Sequence, residues 1–169
     1  MFIELTDHLR CPADHEEAFL ILLPETMDGR RVQDGALGCP ACHREFPVAA
    51  GIVDFGGGLA ASEPCTLPAE AAYALLGLDG PGGYLALLGA AGGLADDLSG
   101  RLPGIHLVLV NPPADSDLPS GGSILRAPRL PLKQRSMRGA VIPGELSRDP
   151  GWLEGAIACV LPGLRVVGE

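Results

Sequence analysis

Two cysteine–proline turns constrain this chain more than any other feature in it. Cys39-Pro40-Ala41-Cys42 sets two cysteines across a tight turn that can aim both sulfurs at one tetrahedral ion. Cys11 is the only cysteine before them, and it opens a second Cys-Pro turn, Cys11-Pro12-Ala13-Asp14-His15. In that turn Asp14 stands where a second Cys-x-x-Cys cysteine would sit, and His15 follows it. Three thiolates plus either residue complete the four-ligand shell of Zn²⁺. Imidazole is the better zinc ligand, so the expected set is Cys11, His15, Cys39 and Cys42, with Asp14 as the alternative fourth ligand. His43 competes poorly, because a ligand directly beside Cys42 strains the turn.

A chain of 169 residues has room for one ordinary domain, or for a small module and a compact second one. Aromatic residues are few while Gly and Pro are many, so cohesion must come from Leu, Val and Ala. Five cysteines are an odd number, and the metal reading uses three of them. Cys65 and Cys159 are then expected as buried thiols in a reducing, cytoplasmic compartment rather than as a disulfide. No basic stretch followed by an apolar run opens the chain, so no secretory signal is expected. No uninterrupted apolar stretch reaches the roughly 20 residues of a membrane span, so no membrane is expected as a partner. A net charge of −9 argues against binding nucleic acid through the overall field of the protein.

The metal turns organise an N-terminal unit, residues 1–57. Phe19-Leu20-Ile21-Leu22-Leu23 is an apolar run bounded by Pro24 and is expected as a buried strand. Asp28-Gly29 is a turn signal. Glu45-Phe46-Pro47-Val48 and Gly51-Ile52-Val53-Asp54-Phe55 are expected to form a closing hairpin. Two metal turns on short strands make a zinc ribbon, and so small a unit would draw much of its folding free energy from the metal. The segments "LTDHLRCPAD" and "LGCPACHREFPVAAGIVDF" resemble the zinc-ribbon family that activates tRNA and protein methyltransferases. That resemblance covers Met1 to about Phe55. It implies a ribbon that binds a methyltransferase domain and hides an apolar surface.

A linker is expected over 58–66, where Gly56-Gly57-Gly58 marks a change of composition, and a second domain over 67–169. Thr66 is the expected N-cap of a helix from Ala69 to Leu78. Strands are expected at Tyr84–Leu88, Ile105–Val110 and Ser123–Arg126, with a glycine-rich turn, Gly89-Ala90-Ala91-Gly92-Gly93, after the first. A helix is expected to begin at Leu94. Strand, glycine turn, helix, strand is half of a doubly wound α/β sheet. His106, alone within its strand, is expected to be structural.

"RLPLKQRSMRGAVI" (129–142) and "WLEGAIACVLPGLRVVGE" (152–169) resemble the approach to the fourth strand, and the helix, turn and fifth strand, of class I S-adenosylmethionine-dependent methyltransferases. The resemblance implies a truncated Rossmann-like parallel sheet of about five strands, with Gly89, Gly93 and Asn111 at the cofactor positions. It also exposes what is missing. The acidic position before the glycine turn holds Leu87, and the ribose-binding acid is Asn111, whose amide lacks the charge that strengthens such bonds. Arg126-Ala127-Pro128-Arg129 and Met137-Arg138 replace the remaining acids. S-adenosylmethionine binding is therefore not expected, and the domain reads as a pseudo-methyltransferase with no catalytic residue.

The segment Asn111–Gly122 is short for a parallel crossover, and the family's last two strands are missing. An open parallel edge calls for a cover, so a homodimer or a protein partner is expected. Arg126, Arg129, Lys133, Arg135 and Arg138 fall close together and would suit RNA, but no aromatic residues interleave to stack bases. Asp96-Asp97 and Asp115-Ser116-Asp117 read as helix-start or turn residues. The function expected is that of a non-catalytic, zinc-binding interaction or scaffold protein, a regulatory partner of a methyltransferase. Its rivals are an active methyltransferase with an atypical cofactor site and an RNA-binding accessory protein.

Overall fold

The computed structural model describes residues 1–58, 64–114, 116 and 121–169. Among the described residues, nine strands form a single mixed sheet that is mostly parallel. They are β1 (Ile21–Asp28), β2 (Arg31–Gly38), β3 (Glu45–Ala49), β4 (Ile52–Asp54), β5 (Tyr84–Leu88), β6 (His106–Val110), β7 (Gly122–Arg126), β8 (Met137–Ile142) and β9 (Val160–Gly168). The helices are short: α1 (Ala69–Leu76), α2 (Ala95–Arg101), α3 (Gly144–Ser147) and α4 (Pro150–Cys159). A 3-10 turn at Ile3–His8 opens the chain, and a second one occupies the glycine-rich run at Gly89–Leu94.

The order across the sheet is β1-β2-β3-β4-β7-β6-β5-β8-β9. The first four strands form an antiparallel meander, and β4 then runs parallel to β7, pairing Ile52 with Ile124 and Val53 with Leu125. Every pair from β7 to β9 is also parallel. The five parallel strands expected from the sequence are therefore present, but as part of one nine-stranded sheet. The strands of the metal-turn unit extend that sheet along β7. The expected linker, 58–66, lies mostly outside the described residues, as does much of the short crossover between β6 and β7.

Strand alternation divides the core in two. Leu85, Leu87, Leu107, Leu109 and Val141 face one side, packing with Ala72 and Leu76 of α1 and with Ala95 and Leu98 of α2. Ala86, Leu88, Val108, Val110 and Ala140 face the other side, where Leu5, Leu9, Phe46, Val53 and Trp152 gather. The central strands are buried on both faces, which is why they read as unbroken apolar runs.

Three expectations change. Phe19–Leu23 does run into a strand, but as the open edge of the sheet: Phe19 is 59% exposed and Leu23 54%. Pro24 lies inside β1, where the register with β2 shifts, and proline is tolerated at an edge because its missing N–H can face solvent. Opposite it, Gly35 has no substitute, since a Cβ there would lie 2.5 Å from the Leu23 carbonyl oxygen. Thr66 does not cap α1. Pro68 occupies the cap without a side-chain bond, and the Thr66 hydroxyl donates to Glu169 instead.

Candidate metal centre

Backbone bonds hold each metal turn in place before any ion is considered. The Arg10 N–H donates to the Pro131 carbonyl (2.9 Å), and Leu9 bridges to Leu132, so Cys11 enters its turn from a fixed point. The loop closes through Cys11 N–H to Ala18 O (3.4 Å) and His15 N–H to Ala13 O (3.0 Å). Cys39 leaves the end of β2, and the second turn closes through His43 N–H to Cys39 O and Cys39 N–H to Arg44 O, both 2.9 Å. His43 sits at φ +57, so it serves as the left-handed corner of the turn and its side chain is exposed.

The structure brings together Cys11, His15, Cys39 and Cys42, whose ligand atoms all lie within 4.8 Å of one another. Cys11 Sγ and Cys42 Sγ are 3.7 Å apart, and His15 Nε2 is 3.5 Å from Cys39 Sγ. Cys11 and Cys39 are buried, while His15 and Cys42 are half-buried. Asp14 is exposed and stands outside the group. Three soft sulfurs and one imidazole converging on one point could hold a single metal ion.

Local hydrogen bonds prepare these groups. His15 Nδ1 lies 2.6 Å from the Glu16 carbonyl oxygen. With Nδ1–H donating there, the lone pair of Nε2 is left to face the sulfurs. The same bond raises the His15 pKa. The Arg44 N–H, followed by contacts with the other three ligands, brings the Cys42 thiol down to about 7. Burial pushes the Cys11 thiol up to about 11. The cluster therefore contains one thiol that ionises readily beside another that needs a cation to hold its charge. Glu16 and Arg44 contribute backbone atoms only, so no motif in the sequence could have marked them.

Two of the three expected cofactor positions, Asn111 and Gly89, are engaged within the fold. Asn111, buried at φ +54, donates from Nδ2 to the Ala127 carbonyl (2.7 Å) and accepts from the Ala127 N–H at Oδ1 (2.8 Å). A Cβ on Gly89 would lie 2.9 Å from Leu146 Cδ1, and one on Gly92 would lie 2.6 Å from Pro112 Cβ. Two of the glycines in the run thus make room for the chain's own side chains. Gly93 meets nothing within 4 Å.

His106 takes the structural part expected of it. Its ring packs edge-on against Phe2 (4.5 Å between centroids), and Nε2 lies 3.1 Å from Ser123 Oγ. Ser123 is fully buried and also accepts the Phe2 N–H, so this Ser–His pair joins the N-terminal turn to the sheet. Burial, then the nearby Arg31 charge, lowers the His106 pKa to about 4. Two of the basic residues that cluster in sequence are spent on backbone. Arg138 donates to the carbonyls of Asp79, Gly80 and Gly82, and Lys133 donates to that of Asp7 (3.0 Å). Among the described residues, no helix is long and apolar enough to cross a membrane. Compared with known proteins, the chain matches no family model and no curated protein.

Proposed function

We propose that this chain is a zinc-stabilised, non-catalytic interaction module, a zinc ribbon joined to a Rossmann-like sheet of methyltransferase type. The carrying observation is the geometry of the four ligands. A tetrahedral zinc with bonds of about 2.3 Å to sulfur and about 2.0–2.1 Å to nitrogen requires sulfurs about 3.8 Å apart and nitrogen about 3.5 Å from sulfur. The separations of 3.7 Å for Cys11–Cys42 and 3.5 Å for His15–Cys39 fit those edges. Four protein ligands leave no open coordination position, which is the pattern of structural rather than catalytic zinc.

The sheet supports the second half of the reading. Numbered within the C-terminal part alone, its strands lie in the order third, second, first, fourth, fifth, as in a doubly wound sheet. In such sheets the ligand crevice lies beyond the carboxyl ends of the strands. Here those ends are taken up by Leu146 against Gly89, Pro112 against Gly92, and the Asn111–Ala127 clamp. The pairing of β4 with β7 supports reading the N-terminal part as a ribbon that binds the sheet of its own chain.

Two measurements test the proposal. Elemental analysis of purified protein should find one zinc per chain. Calorimetric titration with S-adenosylmethionine should give no heat at millimolar ligand. One-to-one binding that is lost on Gly89→Trp would overturn the non-catalytic reading.

A further inference from the structure

A groove of about 540 Å³ lies on the face of the sheet covered by α4. One wall is the segment 128–134, which is tied to the N-terminal turn by the Leu9–Leu132 bridge and the Arg10–Pro131 bond. The other wall is α4, which approaches closely because a Cβ on Gly155 would already touch the Leu130 side chain at 3.3 Å. The floor is apolar, with Trp152 and Leu132 at 4% and 3% exposure. The volume is in the range of about 300–1,000 Å³ typical of ligand sites.

The charges along this groove are segregated. Arg129 comes from the first wall and Arg10 from the N-terminal segment bonded to it, while Glu154 belongs to α4 and Asp149 is its N-cap. Arg10 pairs with Glu17 at 3.8 Å, yet its buried Nε–H has no acceptor among the described residues. Asp149 caps α4 through Oδ1. Among the described residues, no ion pair or hydrogen bond engages the side chain of Arg129 or Glu154.

We propose that this groove docks an extended segment of a partner protein in which apolar residues are flanked by an acidic and a basic one. The acid faces Arg129 and Arg10, the base faces Glu154 and Asp149, and the apolar residues lie against the half-buried Leu130. The acidic wall disfavours phosphate, and Trp152 is too deeply buried to stack a base, so RNA does not fit this site. The proposal names a kind of partner for the interaction module described above and rests on that reading.

Trp152 is the only tryptophan in the chain and lies in the floor, so its emission reports on the groove alone. The probe is a blocked Asp-Leu-Leu-Lys peptide, titrated into full-length, metal-replete protein. A saturable emission change with Kd near or below about 1 mM is expected. Arg129→Glu and Glu154→Lys, both at exposed positions, should each weaken binding about fivefold or more, and a neutral Asn-Leu-Leu-Gln peptide should bind equally poorly. No response at about 10 mM peptide, binding that both variants leave unchanged, or an equal response to a single-stranded oligoribonucleotide would each overturn the groove proposal. Metal content and circular dichroism are read on the same samples. A silent groove in folded protein carrying one zinc refutes the docking site alone, whereas protein without zinc refutes the module.

Discussion

Asn111 and Ala127 are locked together by two reciprocal hydrogen bonds, the side-chain amide of one reading both backbone groups of the other (2.7 and 2.8 Å). An ionised carboxylate could accept but not donate, so the amide standing where the resemblance implies an acid is suited to joining the ends of β6 and β7. Asn111→Asp removes the donor and buries a charge, and should cost roughly 2–4 kcal/mol in urea unfolding. Unchanged stability accompanied by new S-adenosylmethionine binding would mean that Asn111 marks a weakened cofactor site.

The proposed zinc site makes opposite predictions for the neighbouring residues His15 and Asp14. His15→Ala and Cys39→Ser should each abolish stoichiometric zinc and lower Tm on the order of 10 °C or more, because the metal's binding free energy is folding free energy. Asp14→Ala, at an exposed position, should keep one zinc per chain and an unchanged Tm. Elemental analysis with thermal melts on all three variants checks this.

His106 gives the fold an acid-sensitive joint. Its folded pKa of about 4 lies below the ordinary 6.5, so the unfolded chain binds the extra proton first. Stability from this group is present above pH 6.5 and is lost as pH falls towards 4, by roughly 2–3 kcal/mol in all. His106→Gln can still bond Ser123 without titrating. The difference between the unfolding free energies of the two proteins should therefore change with pH across that window, with the contribution of the metal site cancelling.

The glycine run should divide by position. Gly92→Ala drives a methyl into Pro112 and should cost about 1–3 kcal/mol, although its backbone is ordinary. Gly93→Ala meets open space and should leave the unfolding midpoint within about 0.5 kcal/mol of the parent. Equal effects at both positions would refute the packing account of this run.

What the sequence revealed was local. The two Cys-Pro turns could be read because a metal turn is set by a few adjacent residues, and His15 could be ranked above Asp14 on ligand chemistry. Leu85–Leu88 and Leu107–Val110 could be read because strands buried on both faces are written as continuous apolar runs. What stayed hidden was relational. Phe19–Leu23 looks like those runs, yet it lies on the open edge, and only the pairing of the other eight strands determines that. Arg138 is a neighbour of Arg135 in sequence, but it spends its guanidinium on the carbonyls of the 79–82 loop, a long-range partnership that no spacing encodes. The β4–β7 pairing likewise joins residues that are far apart in the chain.

That last pairing has a consequence for competition. Because β4 and β7 belong to one polypeptide, each sees the other at an effective concentration on the order of millimolar, whatever the protein's abundance. A separate enzyme offering a strand to β4 must outbid a rival that never diffuses away, and dilution will not help it. Partners of this chain should therefore be sought at surfaces that the internal pairing leaves free.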